Sequence, residues 1–322
     1  MLIVQKFGGS SLADIERLRR AAGICMEARR MEHRLVVVVS ASGDTTDELL
    51  ELARQISPRP SPRELDALMA TGEQRSAALM ALMLQSMGAK AQSFTGWQAG
   101  VLTSPKNGAA KIELIAPDRI SAALEQDQIA VVAGFQGIST RGDVTTLGRG
   151  GSDTTAVALA AALKAERCEI YTDVDGIYTA DPRLVTGAKR LSEVDFRDML
   201  ALAQNGSQVL HPESVRLAMA NNVEINLLSS FEGGAGSRVR FLPEGDRPPF
   251  AGVTRSEEDC TITAVGKAAD AGTLSELVLL LGRAGVPVLS GAVGKGQVSV
   301  RVAPAQLLPS LELVHGEILK NT

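Results

Sequence analysis

The chain has 322 residues, 45% of them hydrophobic, 22% charged and 3% aromatic, with a formal net charge of −4. That length accommodates one large domain and a smaller one at roughly 100–200 residues per domain. Slight acidity and so few aromatic rings remove the electrostatic and stacking grounds for binding nucleic acid or a membrane surface. Cys25, Cys168 and Cys260 are far apart and form no C-x-x-C pair. This usage fits a reducing compartment, so a cytoplasmic location is expected; no apolar run approaches the ~18 residues of a membrane span, and no leader pattern precedes the first strand.

In chain order, Leu2-Ile-Val-Gln-Lys6 reads as a strand and Phe7-Gly-Gly-Ser-Ser11 as a turn into a helix over 12–31. Lys6 then stands where a strand end meets an anion-favouring helix start, although a solvated lysine would look the same. Residues 35–40 form a β-branched run, the pattern of a parallel strand buried on both faces. It leads into Ser40-Ala-Ser-Gly-Asp-Thr-Thr-Asp47 and a helix over 48–55. Ser61-Pro62-Arg63-Glu64 has capping-box spacing, ahead of a helix over 66–87. Glu73 interrupts its apolar face, and a buried acid needs a partner or a ligand, unless it is a first-turn carboxylate following Thr71. Strands are expected at 89–93 and 129–133.

Thr146-Leu-Gly-Arg-Gly-Gly-Ser-Asp-Thr-Thr155 then repeats the order strand, glycine loop, helix, with the helix over 156–165. Glycines let the backbone approach a bulky anion while helix N–H groups favour negative charge. Arg149 adds a planar donor fork and Asp153 a first-turn carboxylate, though a plain glycine turn with an ordinary N-cap fits too. A strand over 168–173 runs into a loop with Tyr178 and Arg183. Helices over 196–205 and 212–221 and a strand over 223–228 follow; His211, before a proline, reads as a turn residue. Residues 231–250 read as a linker by composition. Beyond it the pattern is strand, helix, strand, strand, helix, the last helix with Leu307, Leu311, Val314 and Ile318 on one face.

Seven segments carry a resemblance to a known family: Lys6-Phe-Gly-Gly-Ser-Ser-Leu12, Val39-Ser-Ala-Ser-Gly-Asp-Thr-Thr-Asp47, Ala70-Thr-Gly-Glu-Gln-Arg75, Thr95-Gly-Trp-Gln-Ala-Gly100, Gly134-Phe-Gln-Gly137, Gly148-Arg-Gly-Gly-Ser-Asp153, and the run from Tyr171-Thr-Asp173 to Asp181-Pro-Arg183. Together, and in order over residues 1–230, they resemble the aspartate kinases of the amino-acid kinase superfamily. The resemblance implies a three-layer α/β/α fold with a mostly parallel sheet, and transfer of the ATP γ-phosphoryl group, with Mg2+, to the side-chain carboxylate of L-aspartate. It implies Lys6 and Asp153 as catalytic residues. Ser40, Thr46, Glu73, Arg149 and Ser152 would bind aspartate. Lys6, Gly8, Gly9, Ser10, Gly150, Gly151, Thr172, Asp173, Tyr178, Arg183 and Gln208 would bind nucleotide, and no residues are assigned to a protein-held metal. The implied division is a catalytic domain at 1–230, a linker at 231–250 and a single α+β ACT-like module at 251–322, with a homodimer expected.

Two departures stand out. Gln208 sits in Gly206-Ser-Gln-Val-Leu-His-Pro212, where the family has lysine. Ala269-Asp-Ala-Gly272 stands where an ACT loop carries Asp-x-Pro-Gly, so weak or absent lysine and threonine feedback is expected. Ala251-Gly-Val-Thr254 is expected to supply the fourth strand of the module. A different carboxylate acceptor, or a non-catalytic amino-acid sensor, is the alternative to an aspartate kinase.

Overall fold

The computed structural model describes residues 1–320. Its elements through the large sheet are β1 (Leu2–Phe7), α1 (Ile15–Arg30), β2 (Arg34–Val39), α2 (Thr45–Ile56), α3 (Pro62–Ser86), β3 (Ala91–Phe94), β4 (Val101–Thr103), β5 (Ile112–Ile115), α4 (Asp118–Glu125), β6 (Ile129–Ala133), β7 (Gln136–Ser139), β8 (Val144–Thr146), α5 (Gly151–Ala162) and β9 (Arg167–Thr172). There follow β10 (Ile177–Tyr178), β11 (Arg190–Leu191), β12 (Glu193–Asp195), α6 (Phe196–Gln204), α7 (Pro212–Asn221), β13 (Ile225–Ser229), β14 (Ser237–Arg240), β15 (Gly252–Ser256), β16 (Thr261–Val265), α8 (Ala271–Arg283), β17 (Ser290–Gly294), β18 (Gln297–Arg301) and α9 (Leu307–Ile318). No helix among the described residues is long and apolar enough to cross a membrane.

The chain divides into two compact units, Met1–Asp175 with Ala220–Ala235, and Gly176–Met219 with the described residues from Gly236 onward. In the first, six strands lie in the order β13-β9-β1-β2-β6-β3, all parallel. β2 is fully buried over Leu35–Val39, as a two-sided apolar strand must be. Alternation along β1 puts Ile3 and Phe7 into a core with Leu18, Ala22 and Cys25 of α1 and Met80 and Leu84 of α3, whereas α5 packs on the other face. This is the α/β fold with a mostly parallel sheet expected from the sequence. It gathers the ends of β1, β2, β6 and β9 at the edge where parallel sheets bind ligands.

Helix starts are displaced for identifiable reasons. α1 begins at Ile15 rather than at 12, because a short 3-10 turn occupies Gly9–Leu12 and Asp14 caps the helix by accepting from Arg17 N at 2.8 Å. α3 starts at Pro62, and Ser61 makes no side-chain cap, so proline and not a capping box sets that end. α5 starts at Gly151, five residues before the apolar run, since Gly150 takes a left-handed φ of 69° that ends the loop. The mixed sheet β5-β4-β7-β8 was not foreseen; strands of three or four half-buried residues carry too little periodicity to be recognised.

The second unit holds the antiparallel sheet β15-β16-β18-β17. β15 is the expected fourth strand, pairing with β16. Its core joins Ile262, Leu277, Leu281, Val298, Val300, Leu311 and Val314 to Ala180 and Val185. That shared core is why residues 176–219 group with this unit, and not with 1–175 as the division at 230 implied. Residues 231–250 are also more than a linker. They contain β14, parallel to β12, and the buried Arg247, which bonds Asp198 at 2.7 Å. Asp270 caps α8, accepting from Thr273 N at 3.0 Å. His211 is a turn residue as expected; Ser214 Oγ donates to its carbonyl at the start of α7.

Candidate active site

Two strand-turn-helix segments of the first unit meet at one ion pair. Lys6, in register with Val38 of β2 and Ile170 of β9, points from the end of β1 to Asp153 in the first turn of α5. Nζ and Oδ1 are 2.7 Å apart, with side chains 11% and 14% exposed. The pair is close but not aligned as a hydrogen bond. Gly8 donates its N–H to the Tyr171 carbonyl at 3.2 Å, tying the first turn to β9. A Cβ on Gly9 would lie 2.7 Å from the Ala41 carbonyl oxygen, so only glycine lets these loops touch. The first N–H groups of α5 lack intrahelical partners and carry the positive end of the helix dipole. Lysine, free N–H groups and glycine-thin backbone form a site for a bulky anion.

A second cluster is built on Glu73. It is 3% exposed and lies in the middle of α3, so it is not the first-turn carboxylate that Thr71 suggested. Oε1 accepts from Ala41 N at 3.0 Å, and Oε2 has no hydrogen-bond partner among the described residues. Burial pushes its carboxyl up to about 7, against the lowering by the Ala41 N–H. Ala41 thus faces Glu73 with its N–H and Gly9 with its carbonyl, placing Glu73 and Ser40 beside the first glycine turn. Thr46 lies in the first turn of α2. Ser152, 8% exposed, abuts Gly134, where a Cβ would come within 2.9 Å of its Oγ. Arg149 stands exposed at the tip of the second glycine loop.

Asp66 escaped the sequence reading. It is 2% exposed, and four donors converge on it: Asn107 Nδ2 at 2.8 Å, Gly108 N at 3.0 Å, Thr146 N at 3.1 Å and Thr146 Oγ1 at 2.7 Å. Thr146 leads directly into Leu147-Gly148-Arg149, and the Gly108 carbonyl lies 3.3 Å from where a Cβ on Gly148 would be. Asp66 therefore sets the position of the loop that carries Arg149. A signal existed: Asp66, Ala70, Glu73, Ala77, Met80 and Leu84 follow helical spacing on the buried stripe of α3. Two acids on that stripe mark a polar purpose.

At the end of β9, Thr172 Oγ1 donates to Asp173 Oδ1 at 3.0 Å, next to the Tyr171 that receives Gly8. Ser10 lies in the 3-10 turn and its carbonyl accepts from Arg17. The other expected nucleotide residues belong to the second unit. Tyr178 is in β10, opposite Arg190 of β11. Arg183 bonds Asp181 through Nε at 3.0 Å and Nη2 at 2.8 Å, holding that carboxyl below its usual range. Gln208 is exposed between α6 and α7. No cluster of three His, Cys, Asp or Glu suited to a metal occurs among the described residues.

A family model described as the amino acid kinase family matches residues 1–229. An aspartokinase of Mycolicibacterium smegmatis is 52% identical over 270 residues, covering 82% of this chain and 64% of that protein; one of Corynebacterium glutamicum is 49% identical with the same coverage. The chain thus spans just under two thirds of the length of these curated relatives. Among solved structures, an aspartate kinase from Synechocystis is 30% identical with a TM-score of 0.68, over 99% of this chain and 69% of the other. E. coli aspartokinase III in complex with aspartate and ADP is 27% identical with a TM-score of 0.73, over 98% and 84%.

Glu73 has a testable cost. Folded, it keeps its proton to about pH 7, against an ordinary 4.5. The unfolded chain binds fewer protons between these values, so stability falls as pH rises through that window, by roughly 3 kcal/mol in all. Glu73→Gln is expected to be more stable than the parent at pH 8, the gap closing by about pH 4.5; denaturant titrations across pH would contradict this by showing a constant gap. Asp66→Ala orphans buried donors at about 1–3 kcal/mol each. Amide exchange at Gly108 and Thr146 should quicken at least about tenfold while β2 stays protected; unchanged exchange at both would refute the positioning role.

Proposed function

The chain belongs to the amino acid kinase family, and we propose that it transfers the γ-phosphoryl group of ATP to the side-chain carboxylate of L-aspartate, giving 4-phospho-L-aspartate and ADP. The observation that carries this reading is the Lys6–Asp153 pair at the junction of two glycine turns. Phosphoryl transfer needs positioning and charge neutralisation but no protein nucleophile. The acceptor carboxylate is itself the attacking group. Aspartokinase relatives at about half identity support the choice of acceptor.

In this reading Lys6 shifts from Asp153 to the transferring phosphoryl group, and the N–H groups at Gly9 and Gly150 take up remaining phosphate charge, while Gly8 and Gly151, whose N–H groups bond Tyr171 and Gly148, keep the backbone thin there. Glu73 receives the substrate ammonium, whose charge returns the buried carboxyl to its ionised form. Arg149 takes the α-carboxylate, and Ser40, Thr46 and Ser152 supply hydroxyls around the acceptor. Thr172 and Asp173, at the end of β9, face the nucleotide. A magnesium ion fits as one carried on the phosphates, since such an ion keeps its waters and needs only one or two protein carboxylates; Asp153 is the one at the turns. It would neutralise phosphate charge.

Weak lysine and threonine feedback belongs to the same reading, because Asp270, the acid in the loop at 269–272, is engaged in capping α8. A homodimer through the ACT-like module is part of it too, supported by the exposure of every residue of the edge strand β17. One observation favours a second reading, a non-catalytic amino-acid sensor: Gln208 stands where lysine is expected.

With Mg-ATP, L-aspartate and hydroxylamine, aspartyl hydroxamate should form, unaffected by added lysine or threonine. Lys6→Met should slow it by about 10²-fold or more, and Gln208→Lys should speed it. Absence of hydroxamate from both the parent and Gln208→Lys, with ATP still bound, would overturn the kinase reading in favour of the sensor.

A further inference from the structure

On the face of β1 opposite Lys6 lies a polar cleft that the kinase reading does not use. Gln5 is 1% exposed in an otherwise apolar stretch of strand, in register with Glu169 of β9. Gln5 Nε2 donates to Glu169 Oε2 at 2.9 Å, Tyr171 OH to the same oxygen at 3.1 Å, and Arg167 Nε to Oε1 at 2.8 Å. Gln5 Oε1 and His33 Nδ1 have no hydrogen-bond partner among the described residues, although both residues are at least nine-tenths buried. The residues that carry these groups line a cleft of about 150 Å³ between α1 and the sheet, with the two unpaired atoms just beneath its surface. Exposed Glu27 stands at its rim, and Ile3 and Ile24 give it an apolar wall.

Polar groups in a sheet core are costly unless paired. Here the unpaired ones share a chemistry. Gln5 Oε1 only accepts, Glu27 only accepts when ionised, and neutral His33 accepts at Nδ1 when its proton is on Nε2. Charge points the same way. Two carboxylates, Glu27 and Glu169, face one guanidinium, which Glu166 also approaches at 3.7 Å. A fitting ligand therefore donates hydrogen bonds, carries positive charge and has a short apolar body. Because Arg167 is already shared between Glu169 and Glu166, little cationic capacity remains for a ligand carboxylate.

We propose that the cleft between α1 and the β1–β9 face binds a small primary ammonium compound lacking a carboxylate, its cationic head among Gln5 Oε1, His33 Nδ1 and Glu27 and its apolar body against Ile3 and Ile24. The site is independent of the kinase reading, because it is tested by binding alone. It is nevertheless adjacent to that chemistry. Gln5 precedes Lys6, and Tyr171, which lines the cleft, stacks on Phe7 at 4.8 Å and receives the Gly8 N–H.

The full chain would be titrated calorimetrically with n-butylammonium, with neutral 1-butanol, and with norleucine, which pairs the same apolar chain with a carboxylate. Butylammonium should bind one to one, norleucine more weakly and butanol not at all, and the Gln5 side-chain amide resonances should shift on binding. Gln5→Met should weaken binding at least tenfold. Because Gln5 is buried, Glu27→Gln at the rim serves as the second variant, leaving the core intact, with a weakening of several-fold. No binding by the parent protein, equal binding of butanol, or binding undiminished in both variants would overturn the proposal; tighter binding of norleucine would overturn the exclusion of carboxylates.

Discussion

The meeting of Lys6 with Asp153 is the constraint on which the rest of the first unit depends. Two charges held almost out of water are tolerable only while they stay together, since removing either leaves the other uncompensated. Keeping them together requires two strand-turn-helix segments to converge, one ending at the sheet's centre on β1 and one opening α5. Convergence in turn demands backbone without side chains where the turns touch, which Gly9 provides against Ala41. In the proposed reading the same geometry makes the pair available to substrate. A lysine balanced by a single carboxylate, beside free helix N–H groups, has somewhere to go when a polyanion arrives.

Three carboxylates in this region are stabilised by different means. Asp153 has a cation. Asp66 has hydrogen bonds from two loops, so it acts as a structural node that fixes the approach to Arg149. Glu73 has one backbone N–H and a bare second oxygen, and its high proton affinity is the consequence. Of the three, only Glu73 has neither a cation beside it nor several donors converging on it. In the proposed reading the substrate ammonium completes it, so that Glu73 would separate an amino-acid acceptor from acceptors without an amino group.

Much of this was legible in the sequence because its signals are strong and local. A β-branched run such as Leu35–Val39 can hardly be anything but a buried parallel strand, and glycine pairs after strands announce anion loops. What was illegible was non-local. Ala180 and Val185 look like loop residues until the core of β16, β18, α8 and α9 closes over them. Arg247 reads as linker charge until Asp198 pairs with it. Asp66 was overlooked because an acid near a helix start is ordinarily a solvated one; only its place on the Ala70, Glu73, Ala77 stripe shows otherwise. Gln5 was passed over for the opposite reason, as a minor polar interruption in a short apolar strand.

The central claim is that the acceptor's own side-chain carboxylate attacks phosphorus at the Lys6–Asp153 junction. It is tested most directly by supplying L-aspartate labelled with ¹⁸O in that carboxylate alone, trapping the product with hydroxylamine, and reading the released phosphate by ³¹P NMR. Carboxylate attack makes one labelled oxygen the bridge to phosphorus, and hydroxylamine cleavage at carbon leaves it on the phosphate, so phosphate bearing one ¹⁸O is the expected result. Unlabelled phosphate would mean that water had attacked ATP, and the account of this site as a carboxylate kinase would be wrong.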